Sequence, residues 1–192
     1  LMRNKLLYFS LIFLLISCSQ SPGVNFNGSD ITEAKLNPSF ELTSNLGQPT
    51  SINDFKGKVV AIFFGFTHCP DICPTTMHEL KAIKKSLGED ADSLQVIFVS
   101  LDPERDTIDL LAKFIPSFDL SFIGLTGTPE DIKKIAGQYK IFYQKVGDQK
   151  NYTIDHSSAI YLIDKLGNIR VRHPYGSSQE MIVDDIKTLL LI

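Results

Sequence analysis

An α/β fold, a mixed central sheet flanked by helices, follows from three features of the sequence. Residues 59–64 and 94–100 are nearly continuous apolar runs, which read as central strands covered on both faces. Amphipathic stretches follow each of them, an order that builds parallel strand pairing through helical crossovers. Nearer the C-terminus, apolar segments at 159–164 and 169–173 flank the turn Lys165-Leu166-Gly167-Asn168 and predict an antiparallel hairpin.

The individual elements carry their own signals. Arg3 and Lys5 precede an apolar run from Leu6 to Ile16, the layout of a secretory signal and too short for a comfortable membrane span. The run ends in Leu15-Ile16-Ser17-Cys18, which resembles a bacterial lipobox, so residues 1–17 are expected to be a signal peptide and Cys18 a lipid-modified residue. An ordinary cleaved signal with an incidental Cys18 is the alternative. Residues 18–35, rich in Ser, Asn and Gly, read as a flexible tether, leaving residues 36–192 as one domain. Segments 39–43 and 48–52 flank Ser44-Asn45-Leu46-Gly47 and predict an extra N-terminal hairpin.

After the first central strand, Cys73, Met77, Leu80, Ile83 or Lys84, and Leu87 form one helical stripe, with Lys81, Lys84 and Lys85 toward water and Gly88 ending the helix. A helix over 107–115 stops before Pro116, and 121–125 reads as a short strand. Thr128 caps a helix that has Pro129 at its first position and runs to about Tyr139. Segments 141–146 and 151–155 then form a hairpin-like insert, and an amphipathic helix from Ser177 closes the chain with Met181, Ile182, Ile186, Leu189 and Leu190 inward. This order is the thioredoxin-like arrangement, decorated by the N-terminal hairpin and by an insert before the C-terminal one.

Composition narrows the function. With 19 basic and 22 acidic side chains, a formal charge of −3, the chain lacks the basic surface that nucleic acid requires. Export would place its thiols in an oxidising compartment, and with Cys18 lipidated only Cys69 and Cys73 remain.

Those two cysteines carry the chemistry. Cys69-Pro70-Asp71-Ile72-Cys73 places two sulfurs four residues apart at a helix start, on one face. Backbone amides there favour thiolate, so one or both sulfurs are expected to be unusually acidic. Holding a soft metal and cycling to a disulfide are both open uses, and a structural disulfide or two buried thiols is the bland one. A metal would need a third ligand. His68 adjoins Cys69 on a tight turn, His78 falls off the apolar stripe, and His173 has no polar companions in sequence. His156, in Asp155-His156-Ser157-Ser158, lies at the loop that in thioredoxin-like folds faces the reactive pair. Asp155 is a candidate to orient its imidazole, with plain solvation the alternative. Asp102 and Asp106 sit at the same rim as candidate outer acceptors or a partner-facing acidic patch. A helix-capping turn by Asp106 or Thr107 is the reading favoured there.

Three segments carry a family resemblance. Gly65-Phe66-Thr67-His68-Cys69-Pro70-Asp71-Ile72-Cys73-Pro74, Val99-Ser100-Leu101-Asp102-Pro103-Glu104-Arg105-Asp106-Thr107 and Asp155-His156-Ser157 resemble the signature segments of the Sco/SenC family, in the right order. The resemblance covers about residues 36–192. It implies a thioredoxin-fold, membrane-tethered copper protein that helps assemble the binuclear copper site of cytochrome c oxidase, with Cys69, Cys73 and His156 as copper ligands. Two thiolates and an imidazole suit both Cu(I) and Cu(II), although zinc accepts the same donors. Many members use a transmembrane helix where this chain has the expected lipid. The role implied is a metallochaperone rather than an enzyme, with copper as its metal and an oxidase subunit as partner. The competing reading is a thiol-disulfide oxidoreductase that reduces the cysteines of a copper site or of other exported proteins. A peroxide-reducing enzyme is weaker, because the residues before Cys69 do not form the Pro-x-x-x-Thr-x-x-Cys segment of peroxiredoxins.

Overall fold

The two apolar runs form the middle of the molecule. The structure, a computed structural model, describes residues 24–148 and 151–192. Strand β1 is Ser29–Asp30, β2 Glu41–Ser44, β3 Pro49–Ser51, β4 Val59–Gly65, β5 Leu94–Ser100, β6 Ile123–Thr126, β7 Tyr143–Gly147, β8 Tyr152–His156, β9 Ala159–Ile163 and β10 Ile169–Pro174. Helix α1 is Ile72–Ser86, α2 Ile108–Phe114, α3 Pro129–Gln138 and α4 Gln179–Leu191. Eight strands pair in the order β1-β10-β9-β4-β5-β6-β2-β3, while β7 and β8 form a separate ribbon. β4 runs parallel to β5 and β5 to β6, and β9 enters antiparallel beside β4. The fold is the expected thioredoxin-like α/β arrangement, with the N-terminal hairpin joined to the sheet through β2 and β6.

Side-chain alternation along the central strands sorts the core into two layers. Val59, Ala61 and Phe63 of β4 with Val96 and Phe98 of β5 face α1 and α4, meeting Met77, Leu80, Ile83, Ile182 and Ile186. Val60, Ile62 and Phe64 face the other way, against Ile132 and Ile135 of α3, Tyr139 just after it, and Phe40 and Phe55 of the N-terminal region. Every residue of β4 and β5 is buried, which is why neither strand alternates in polarity. Thr107 caps α2 by accepting from the Leu110 amide, and Thr128 with Asp131 forms a capping box on α3.

Three expectations are corrected. The stretch read as a tether is partly built into the domain, because Ser29 and Asp30 pair with Arg172 and Val171 at the sheet edge. Only two residues pair there, too few for any hydrophobic period, and the docking is fixed from α4. Asp185 accepts from the Asn27 amide at 2.8 Å, the Asn27 side chain at 3.0 Å and the Gly28 amide at 2.9 Å. Lys84 does not extend into water; its ammonium donates to the Ala91 and Leu94 carbonyls, closing the turn after α1. Met181, in the first turn of α4, is 37% exposed while Ile182 beside it is buried. The signal peptide expected over residues 1–17 and the lipid expected on Cys18 fall outside the described residues.

The Asp185 clamp also involves His173, whose companion in space is α4. Both side chains are buried, and Asp185 Oδ2 lies 2.9 Å from His173 Nε2, off the axis of a straight hydrogen bond. Burial pulls the His173 pKa below the ordinary value, with Asp185 opposing. The unfolded chain therefore takes up this proton first, near pH ~6.5, as the pH falls. The stability that neutral His173 contributes is present above that value and is lost as pH drops through the folded one. Thermal unfolding at about pH 7.5 and about pH 5.5 is expected to show the parent losing stability, by at most about 1.4 kcal/mol per pH unit for this proton. His173→Gln is expected to lose measurably less; equal losses would show that the buried histidine does not titrate in this window.

Candidate metal centre

At the end of β4 the chain turns, with the Cys69 amide donating to the Phe66 carbonyl at 3.2 Å, and enters α1. Asp71 stands at the helix start without a side-chain cap. The Cys69 sulfur takes that place, accepting from the Cys73 amide at 3.4 Å. Cys73 itself continues the apolar stripe of α1 inward and is fully buried, whereas Cys69 is half-exposed. Both are free thiols. Burial pushes the Cys73 thiol well above its ordinary pKa, with Cys69 and Asp106 adding to the rise and a hydrogen bond from the Phe66 backbone opposing it. The expectation of an acidic sulfur therefore fails for Cys73, because desolvation at the sheet surface outweighs the helix start.

His156 ends β8, 83 positions after Cys73, and its Nε2 lies 3.6 Å from Cys73 Sγ. Nδ1 faces the Ser157 carbonyl at 3.0 Å, a contact only an N–H can make favourable, so the other nitrogen presents its lone pair to the sulfur. The ring sits edge-on to Phe63 and Phe66, with centroids at 6.4 and 5.9 Å. Burial lowers its pKa, with the Ser157 carbonyl and Asp155 opposing, so the imidazole is held neutral, the form that ligates metals. Ser157 orients the ring, and of the two readings open for Asp155 plain solvation holds: it is exposed on the β8 ribbon opposite Gln144 and acts only through its charge.

The structure thus brings together two of the three expected donors in contact and the third beside them. The sulfurs of Cys69 and Cys73 and Nε2 of His156 do not all lie within 4.8 Å of one another. Cys73 and His156 are already in contact, so the longer separation in the set is one that involves the Cys69 sulfur. Two thiols and a neutral imidazole are a donor set for a soft or borderline ion, whose binding would displace the thiol protons. His68 and His78 stay exposed, the latter against Phe118, and His173 belongs to the clamp on α4.

Asp102 and Asp106 are fully buried, which rules out a partner-facing patch, and Thr107 does the capping. Asp102 pairs with Arg105 and accepts from Tyr152 Oη at 2.7 Å; Arg105 also donates to the Tyr152 carbonyl at 2.9 Å and stacks on its ring at 3.6 Å. Asp102 therefore reaches the centre only through β8, by riveting the strand that ends in His156. Asp106 accepts from the Thr67 amide at 3.0 Å, the Thr67 hydroxyl at 2.6 Å and the Ser100 hydroxyl at 2.6 Å, fixing the loop before Cys69 to β5. His68, Asp102 and Asp106 cluster at metal-binding distances, but donors and Arg105 already engage both carboxylates. The sequence offered Asp102 and Asp106 as candidate outer acceptors but missed Arg105, Tyr152 and the Ser157 carbonyl as supports of the centre.

Fold and centre together define a thioredoxin-fold protein with a dithiol–imidazole site at the end of its first central strand. A family model described as SCO1/SenC matches residues 28–191, and the chain belongs to that family. A SCO2-like protein of Rickettsia felis is 36% identical over 156 residues, covering 80% of this chain and 76% of the relative. The structure of Bradyrhizobium japonicum ScoI with copper bound superposes with a TM-score of 0.73 at 38% identity, covering 79% of this chain and 98% of that one. BsSco, described through a disulfide switch and as a member of the Sco family of cytochrome c oxidase assembly proteins, gives a TM-score of 0.67 at 25% identity, covering 81% and 92%.

Proposed function

We propose that this protein is a membrane-tethered metallochaperone that carries copper on Cys69, Cys73 and His156 and delivers it to, or prepares, the binuclear copper site of cytochrome c oxidase. The observation that carries the reading is the neutral imidazole of His156, its free nitrogen 3.6 Å from the buried Cys73 sulfur. A dithiol enzyme has no need of that contact. Thiolates favour Cu(I), and the imidazole keeps Cu(II) bound, so the site accepts either state of its cargo. Cys73 and His156 form a fixed base, and half-exposed Cys69 is the ligand a recipient reaches first, which suits handover by ligand exchange. Relatives solved with copper bound support copper over zinc. The anchor proposed is a lipid on Cys18, on the exported side of the membrane; among the described residues no helix is long and apolar enough to cross one.

A second reading, a reductase of copper-site cysteines, is favoured by the exposure of Cys69 at a helix start. Titration of the reduced protein with Cu(I) and Cu(II) separates the two. The parent is expected to bind one ion tightly, and His156→Ala to lose about a hundredfold or more in Cu(II) affinity while keeping both thiols. Unchanged affinity in His156→Ala would overturn the three-ligand assignment. No stoichiometric binding by the parent would leave the redox reading.

A further inference from the structure

Behind the centre, three segments remote in sequence meet around one small cavity. Thr76 lies one turn after Cys73 on α1 and is 2% exposed. Its hydroxyl has no hydrogen-bond partner among the described residues, not even the carbonyl of its own preceding turn. The side chain lines a small, partly open cavity, with about 10 Å³ of room for the centre of a water molecule, together with Glu79, Ser158, Ile160, Pro174 and Ser177. That is the room one water molecule needs, and a buried water requires at least two polar partners. They are present. Ser158, two residues after His156, makes only a long 3.4 Å contact to the His156 carbonyl, and Ser177 donates its proton to the Pro174 carbonyl at 2.9 Å, leaving its oxygen able to accept.

We infer that this cavity holds one ordered water bonded to Thr76 and Ser158, and that Thr76 is a positioning residue for the Cys73–His156 pair. The water links the helix that carries Cys73 to the loop that follows His156. Among the described residues the direct polar contact between that helix and that segment is Cys73 Sγ to His156 Nε2 at 3.6 Å, and the water adds a second link beside it. The binding readout of this inference rests on the copper reading; the water itself does not.

Crystal structures of the parent, Thr76→Val and Thr76→Ser test it, with Cu(II) titration of each and the thiolate-to-copper absorption band as a spectroscopic readout. Valine removes the hydroxyl at nearly equal volume, and serine restores it. The expected result is a water within hydrogen-bond distance of Thr76 Oγ1 and Ser158 Oγ in the parent and Thr76→Ser, and none in Thr76→Val. Thr76→Val is expected to bind Cu(II) about fivefold more weakly, with a shifted band, as loss of one water-mediated bond implies. Thr76→Ser is expected to match the parent. A dry cavity in the parent, or parental affinity and band in Thr76→Val, overturns the inference. If the parent binds no copper, the copper reading fails by itself. The water density and the Sγ–Nε2 separation in the parent and variant crystals then decide the positioning role.

Discussion

Gly65→Ala is expected to weaken copper binding at least about tenfold and to destabilise the domain by about 2 kcal/mol. A Cβ at this position would lie 2.8 Å from Cys73 Sγ, 2.9 Å from Phe98 Cε2 and 3.0 Å from Phe63 Cε1. All three neighbours are buried, so none can retreat into solvent. The backbone at Gly65 is ordinary extended strand, and the penalty is therefore steric rather than conformational. The Cys73 sulfur occupies the volume that a side chain on β4 would fill, which explains why the strand ends in glycine. Relief requires either the sulfur to move away from His156 or Phe63 to tilt against the imidazole it supports, and both disturb the pair. Competition titration with a Cu(I) chelator and thermal unfolding measure the two effects. Parental affinity in Gly65→Ala would show that Sγ has slack that the packing does not suggest.

The same residue illustrates what the sequence makes legible. Central strands, helix stripes, caps at Thr107 and Thr128 and the hairpin at residues 159–173 are local patterns, and they appear where periodicity and turn chemistry place them. The Cys69–Cys73 pair was visible because spacing on a helix start is also local. Its partnership with His156 came from fold order and family resemblance, since no local rule joins residues 83 apart. What stayed hidden depends on burial. The pKa rise of Cys73 and the neutrality of His156 are consequences of the surrounding aromatic shelf, not of neighbours in the chain. The docking of Asn27 and Gly28 rests on a carboxylate more than 150 positions away. Asp102 and Asp106 read foremost as a helix-capping turn, with outer acceptors or a partner-facing patch as alternatives; here each is enclosed by donors supplied from another segment.

Asp106→Ala is expected to cost about 3 kcal/mol, lowering the midpoint of thermal unfolding by roughly 6–12 °C in a domain of this size. Asp106 is fully buried and joins two segments through three donors, the Thr67 amide and hydroxyl and the Ser100 hydroxyl. Ser100 in turn accepts from the Asp102 amide at 3.0 Å, so the carboxylate also steadies the Asp102–Arg105–Tyr152 rivet. Alanine leaves all three donors facing an apolar gap, and an unsatisfied buried group costs more than a made bond contributes. Asp106→Asn retains one acceptor but turns an NH₂ toward donors, so about half the loss is expected to remain. The loss also reaches the centre, by a different route from Gly65→Ala. Thr67 is two residues before Cys69, and once released it no longer holds the half-exposed sulfur near Cys73. Cys73 and His156 keep their own contacts, so copper affinity is expected to fall while the Cys73–His156 separation stays close to 3.6 Å. Amide hydrogen exchange at Thr67 reads the mechanism directly. It is expected to accelerate about a hundredfold in Asp106→Ala, as a local opening made easier by roughly 2.7 kcal/mol implies. Slow exchange at Thr67 in the variant would show that the loop is held by packing, and that the carboxylate is not what fixes Cys69.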